Sequence, residues 1–167
     1  MPLITGDAFA DDPFVTVADD APLPEEGGAI VSLTRFRRDR ETLLARNAPI
    51  GVKLQSSESP EQIGDDVHRL SVVAIDFPAF RDGRGFSWAR LLRTRMAFKG
   101  QVRATGKYLY DQINYQKRVG FDAWEVPEGF TLEEFRRAFG EMTYVYQPST
   151  DGRKTIRDLR RQDRGLE

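Results

Sequence analysis

Apolar and polar positions change rhythm at Ala29. Upstream, MPLITGDAFADDPFVTVADDAPLPEEGG is rich in Pro, Asp and Gly and holds no sustained period. This predicts an extended arm over residues 1–28, with at most a short edge strand at FVTV. Downstream, short apolar runs alternate with stretches of helical period. AIVSLTRF, IGVKLQSS, SVVAIDF, QVRATG, FDAWEVP and MTYVYQP predict strands. RDRETLLARN, SPEQIGDDVHRL, a stretch from about Phe86 to Phe98, KYLYDQINYQKRV and TLEEFRRAFG predict helices. Ser59 with Pro60 and Gln62, and Thr131 with Glu134, are N-terminal signals, while Asn47, Gly120 and Gly140 are stops. A polar, basic tail follows over 149–167.

Strand and helix alternating at about twenty-residue spacing read as repeated βα units. The expected fold is α/β, a single domain over 29–148 with a mainly parallel sheet of about five to six strands. The strands are short and mostly apolar, as parallel strands covered on both faces must be. Six strands fall short of the ~250 residues of a closed eightfold barrel, so an open sheet and a half-barrel both fit. In either, ligands gather at the carboxyl ends of the strands. That rim holds Gln55, Ser56, Asp76, Thr105, Gly106 and Glu125.

Composition narrows the chemistry. The chain is 40% apolar and 31% charged, with no long apolar run, and no Lys or Arg precedes residue 30 to make a signal peptide. A cytoplasmic protein with no membrane segment is expected. There is no cysteine and one histidine, His68. Cysteine-ligated iron–sulfur clusters, structural Cys/His zinc sites and thiol redox chemistry by the chain's own residues are therefore excluded, and no metal site is expected. No nucleophile motif accompanies His68, which reads as a solvated residue near a helix C-terminus.

Charge is balanced in total and uneven along the chain. Residues 1–29 hold seven acids and no bases, and residues 81–103 seven bases against Asp82 alone. Acidic arm and basic patch either attract one another or each meet a partner. The even total argues against bulk nucleic-acid binding, and the basic tail from Arg153 to Arg164 has no interleaved aromatics for stacking.

Asp76 and Glu125 interrupt apolar strands, so each is paired with a base, exposed at the rim, or costly. Arg84 and Arg103 are the nearest candidate partners. Proton transfer by Asp76 or Glu125 is the catalytic reading, and a structural ion pair the plain one. In DFPAFRDGRGFSWARLLRTR the helical wheel places Trp88, Leu92 and Met96 in the core and Arg90 and Arg93 on a solvated face; Arg95 falls in the apolar arc. The loop RDGRG differs. Arg81, Asp82, Gly83, Arg84 and Gly85 precede a helix whose first amides need partners, with Ser87 in its first turn. That is a chemically sensible cradle for a small anion, and equally a plain Asp-Gly turn. Two glycines without a third give no dinucleotide fingerprint, and no Walker lysine is present. Arg103, Gly106, Asp111 and Gln112 are further ligand-binding candidates. Gln112 falls in the apolar arc of its helix, where a buried amide ties down backbone or reaches the rim.

The segments DFPAFRDGRGFSWARLLRTR and KGQVRATGKYLYDQINYQKRVGFDAWEV carry a resemblance. Over about Ile30 to Glu125 the chain resembles a bacterial family of unknown function whose members are labelled oxidoreductases of sulfite reduction. The match rests on Phe80, Asp82, Gly83, Arg84, Gly85, Phe86, Ser87, Ala89, Arg90, Leu92, Arg93, Arg103, Ala104, Gly106, Asp111, Gln112, Gly120, Phe121 and Asp122. Gln101 departs from it, since an acid is more usual there. The resemblance implies an association with sulfite reductase but transfers no catalytic residue and names no cofactor. Without cysteine this chain is not the reductase itself. One reading is an accessory protein that binds a small anion or the reductase at the strand rim. The other is an oxidoreductase holding a cofactor there, with Arg84 and Arg103 for substrate charge. A nucleic-acid-binding tail is the weakest reading, and homo-oligomerisation stays open.

Overall fold

A computed structural model describes residues 1–165, so the last two residues of the tail expected over 149–167 lie outside the described residues. The chain opens with two three-residue strands, β1 (Leu3–Thr5) and β2 (Ala8–Ala10), paired antiparallel across a turn at Gly6, whose φ is 67°. Then β3 (Phe14–Thr16), β4 (Gly28–Ser32), β5 (Ile50–Leu54), β6 (Val72–Phe77), β7 (Gln101–Gly106) and β8 (Ala123–Glu125) lie side by side in chain order, all parallel. The hairpin closes onto β8, which pairs antiparallel with β1, giving the order β2-β1-β8-β7-β6-β5-β4-β3.

The expected sheet of about five to six mainly parallel strands is thus corrected to eight strands in a mixed sheet. Strands of three residues, such as LIT and AFA, are too short to show an alternation. MTYVYQP is not a strand; only Val145 forms an isolated bridge, to Thr155.

Parallel strands joined in sequence by right-handed crossovers put every crossover on one face. Between the strands come α1 (Leu33–Arg38), α2 (Arg40–Leu44), a 3-10 segment (Pro60–Arg69), α3 (Arg84–Thr94) and α4 (Gln112–Val119), and α5 (Leu132–Gly140) follows β8. Their buried residues, including Phe36, Leu43, Ile63, Leu92, Ile113 and Phe135, join Val31, Val52, Val73, Ile75, Val102 and Trp124 in one core. Ile30, Val72 and Ala74 form a second, small cluster with Phe14 and no helical residue. The helices therefore cover one face, and the other is concave.

Chain length sets the curvature. β2 and β3 are opposite edges of the sheet, yet only Asp11, Asp12 and Pro13 separate them. Four Cα steps span at most about 14 Å, whereas the edges of a flat eight-stranded sheet stand about 33 Å apart. The sheet is curled into an open half-barrel.

Local signals set most boundaries. Ser32 Oγ accepts from Arg35 N, so the chain turns helical as soon as β4 ends, and the helix expected from Arg38 starts at Leu33. Ser59 caps the next segment as expected, but Gly64 at φ 68° breaks it and the turns are 3-10. Thr131 and Glu134 complete a capping box at α5, and Gly120 ends α4 in a left-handed conformation. The described part of the tail contains α6 (Ile156–Asp163), started by a second capping box of Thr155 and Asp158. No helix among the described residues is long and apolar enough to cross a membrane.

Candidate functional site

Alternation along β5 to β8 turns a row of polar side chains toward the concave face. Val52 and Leu54 of β5, Val73, Ile75 and Phe77 of β6, Val102 and Ala104 of β7 and Trp124 of β8 all join the helix-covered core. Side chains of a strand alternate between faces, so Lys53, Asp76, Gln101, Arg103, Thr105 and Glu125 point the other way. The register sets Lys53 beside Ala74 and Ala74 beside Arg103, with Asp76 beside Thr105 one step nearer the carboxyl ends.

Two linked groups occupy this face. Lys53 Nζ lies 2.9 Å from Asp76 Oδ1, which also accepts from Thr105 Oγ1 at 3.1 Å. Arg103, only 1% exposed, donates to both carboxylate oxygens of Asp12 at 2.7 and 2.9 Å, to Glu125 Oε1 at 3.3 Å, and to Gln101 Oε1 from Nε and Nη2 at 3.1 and 2.9 Å. The Phe14 ring stands 5.9 Å from its guanidinium carbon. Tyr108 donates its hydroxyl to the Glu125 backbone oxygen; burial, and then the Glu125 charge, push its pKa well above the ordinary phenol value.

The glycine-broken loop behaves differently. Arg84 Nε and Nη2 close a fork on Asp82 at 2.9 and 2.7 Å, and Nη2 also reaches Ser56 Oγ at 3.0 Å. The Arg84 hydrogen bond, and then that of Ser56, hold the Asp82 carboxyl far below the usual carboxylate range. Trp88 Nε1 donates to the Ser56 carbonyl, so the loop, α3 and the end of β5 are latched together. Gly83 is the N-cap of α3, and Gly85 packs on Phe77 so closely that a Cβ would meet its ring at 2.7 Å. Ser87 is exposed, and Arg81 is stacked over Phe80 at 5.4 Å.

The predicted residues therefore separate into two places. Asp76, Glu125 and Arg103 share the concave face, and Glu125 has the expected partner, Arg103. Asp76 is paired with Lys53 rather than Arg84. Gln112 ties backbone, accepting from Leu109 N and donating to the Phe80 carbonyl, each at 2.9 Å. Asp111 is exposed and makes no side-chain cap bond to α4. Gly106, at φ 92°, lets β7 turn sharply against Phe77.

Arg93 is corrected from solvated skin to a half-buried tie, because α3 stops at Thr94 and the chain folds back over its last turn. Arg95 instead reaches Glu61 at 3.6 Å across the surface. Sequence reasoning missed Lys53, Asp12 and Gln101. Lys53 carried the signal already used for Asp76, a charge at every-second spacing inside an apolar strand.

A curled α/β half-barrel with a charged, ion-paired concave face is the class these observations define. Residues 51–157 match the model of a bacterial protein family of unknown function, DUF934, and the chain belongs to that family. The matched span includes Lys53, Asp76, Arg84, Arg103 and Glu125, and leaves out the arm that supplies Asp12. No curated protein and no solved structure matches the chain.

Proposed function

We propose that this protein is an accessory of assimilatory sulfite reduction that docks on the reductase through the carboxyl-end rim of β6 and β7. The reductase comes from the family resemblance, and the observation that supports docking is an exposed apolar patch with a cation in each of the two loops that carry it. Phe80, Leu109 and Tyr115 are each about half exposed. One amide, Gln112, binds the backbone of both Phe80 and Leu109, and the Tyr115 ring packs at a tilt against Phe86, 5.1 Å between centroids. Arg81 lies over Phe80, Lys107 begins the loop after β7, and neither pairs with a carboxylate among the described residues. Exposed aromatics beside arginine are what protein interfaces enrich, and uncompensated charge at the edge favours an acidic partner surface. A small anion at the loop is less well supported, because the Arg84 fork is already closed on Asp82.

The test is co-purification of the full chain with the sulfite reductase of its own host. The wild type is expected to retain the reductase at low salt, and Arg81→Glu with Lys107→Glu to release it without a change in Tm. Equal retention by the double variant, or no retention by the wild type, would overturn the reading.

A further inference from the structure

We infer that Arg103 anchors a site for a small monoanionic oxyanion on the concave face, and that Asp12 is the chain's own carboxylate seated there, which a free ligand displaces. This goes beyond the docking rim and does not rest on it.

The receptor is built from the sheet. Gln101, two residues back on the same strand, holds Nε and Nη2 of Arg103, and Glu125 on the neighbouring strand touches Nη1. These contacts fix the guanidinium plane. The Nη1–Nη2 edge then meets Asp12 in the two-pronged geometry by which arginine takes carboxylates and related oxyanions. Ala74 and Ala123 flank Arg103 at its own level, so a ligand in the place of the Asp12 carboxylate meets no bulky side chain from either register partner. Beyond Ala74, two strands and about 10 Å away, stands Lys53.

Packing does not account for an arginine at this position. Taking a guanidinium out of water is costly, and a buried ion pair contributes little over an apolar residue of similar volume. Phe14 could hold the arm against an apolar residue 103 as it does against Ile30, Val72 and Ala74.

The occupant also differs in kind from its receptor. Gln101 and Glu125 sit on paired strands inside the family match, whereas Asp12 sits on the exposed three-residue link between the two sheet edges, outside it. The same link leads into Phe14, which covers the guanidinium, so one segment carries both carboxylate and cover. Charge selects the ligand. Lys53 and Arg103 face Asp76, Glu125 and Asp12, so a ligand that replaces Asp12 without altering the balance carries a single negative charge.

Formate is the probe, titrated against chloride at constant ionic strength into the full chain. Asp12→Asn removes the charge and keeps the oxygen that accepts from Phe14 N at 3.1 Å. This variant is expected to bind formate saturably and at least tenfold more tightly than wild type. Adding Arg103→Lys, which keeps the charge and loses the fork, is expected to cost at least tenfold of that affinity. In wild type, saturating formate should speed hydrogen exchange at the Gly28 amide, which donates to the Pro13 carbonyl at 2.9 Å and so reports release of the link. The exchange measurement needs no variant to fold. Equal formate affinity with and without Asp12, indifference to Arg103→Lys, or unchanged exchange at Gly28 would each overturn the inference, and none would bear on docking at the rim.

Discussion

Arg93 belongs to the last turn of α3, yet its guanidinium ends 2.6 Å from the Asp122 carboxylate at the entrance to β8. On the way it donates to the carbonyls of Phe98 at 2.9 Å, Gly100 at 2.7 Å and Gly120 at 2.9 Å. Asp122 in turn accepts from Val102 N at 2.8 Å. One side chain thus joins the end of a helix to the starts of the two strands that carry Arg103 and Glu125. Removing it strands three carbonyls and a carboxylate in a half-buried place. Arg93→Ala should cost about 3 kcal/mol, which is about 6–12 °C in Tm for a domain of this size. Arg93→Lys should fall between, since an ammonium can keep the ion pair but not all the carbonyls. Thermal unfolding of both variants checks the order.

Gly106 offers a steric prediction of opposite character. Its φ of 92° disfavours any side chain, and a Cβ there would lie 2.5 Å from the Phe77 carbonyl oxygen. That oxygen also accepts from Lys107 N at 2.6 Å, so neither backbone can retreat without opening the β6–β7 rim. Gly106→Ala should cost roughly 3 kcal/mol or more. Gly129 also has positive φ, but a Cβ there meets nothing within 4 Å. Gly129→Ala should therefore cost only its backbone strain, about 1 kcal/mol, and urea unfolding of the two variants separates crowding from strain.

The Asp82–Arg84 latch sets a pH dependence. The folded Asp82 carboxyl titrates well below its ordinary 3.8, chiefly because Arg84 donates to it. The unfolded chain then takes up the proton first, so the latch contributes its full stability above 3.8 and loses it as pH falls from there toward the folded value. Asp82→Asn should be less stable than wild type at pH 7. The gap should shrink as pH drops below 3.8, and urea midpoints at pH 7, 4 and 2.5 measure it. A gap that stays constant would mean the carboxylate charge is not what holds the loop.

What the sequence disclosed follows the range over which each signal acts. Val72 to Phe77 is an apolar run interrupted by one acid, and it is the strand expected. Thr131 and Glu134 lie three residues apart and form the expected box, because both partners are local. Lys53 with Asp76 and Asp12 with Arg103 are separated by many residues and meet only through register and curl. No periodicity reports a contact that depends on two sheet edges being joined by a three-residue link. Helical angle failed at Arg93 for a related reason: it ranks directions around a helix axis and is blind to a chain that folds back over the helix end. The family-resemblance positions Gly85, Arg93, Gly106, Gln112, Gly120 and Asp122 all have packing or backbone-tying roles here. Such a pattern marks a fold more directly than an activity.

The Lys53–Asp76 pair tests whether the concave face is one connected network. Both side chains are partly shielded, at 30% and 17% exposure, so the pair lies between a surface bridge and a buried one. Asp76→Leu leaves Lys53 facing Arg103 across Ala74 with its carboxylate gone. Lys53→Met leaves Asp76 with Thr105 alone. Each single change should cost about 1–2 kcal/mol, and the double change should cost less than their sum by about 1 kcal/mol. A double-mutant cycle by chemical denaturation reads that difference directly. Strict additivity would mean that the two charges are screened from one another, so that Lys53 acts on this face independently of Asp76 and the concave charges are not a network.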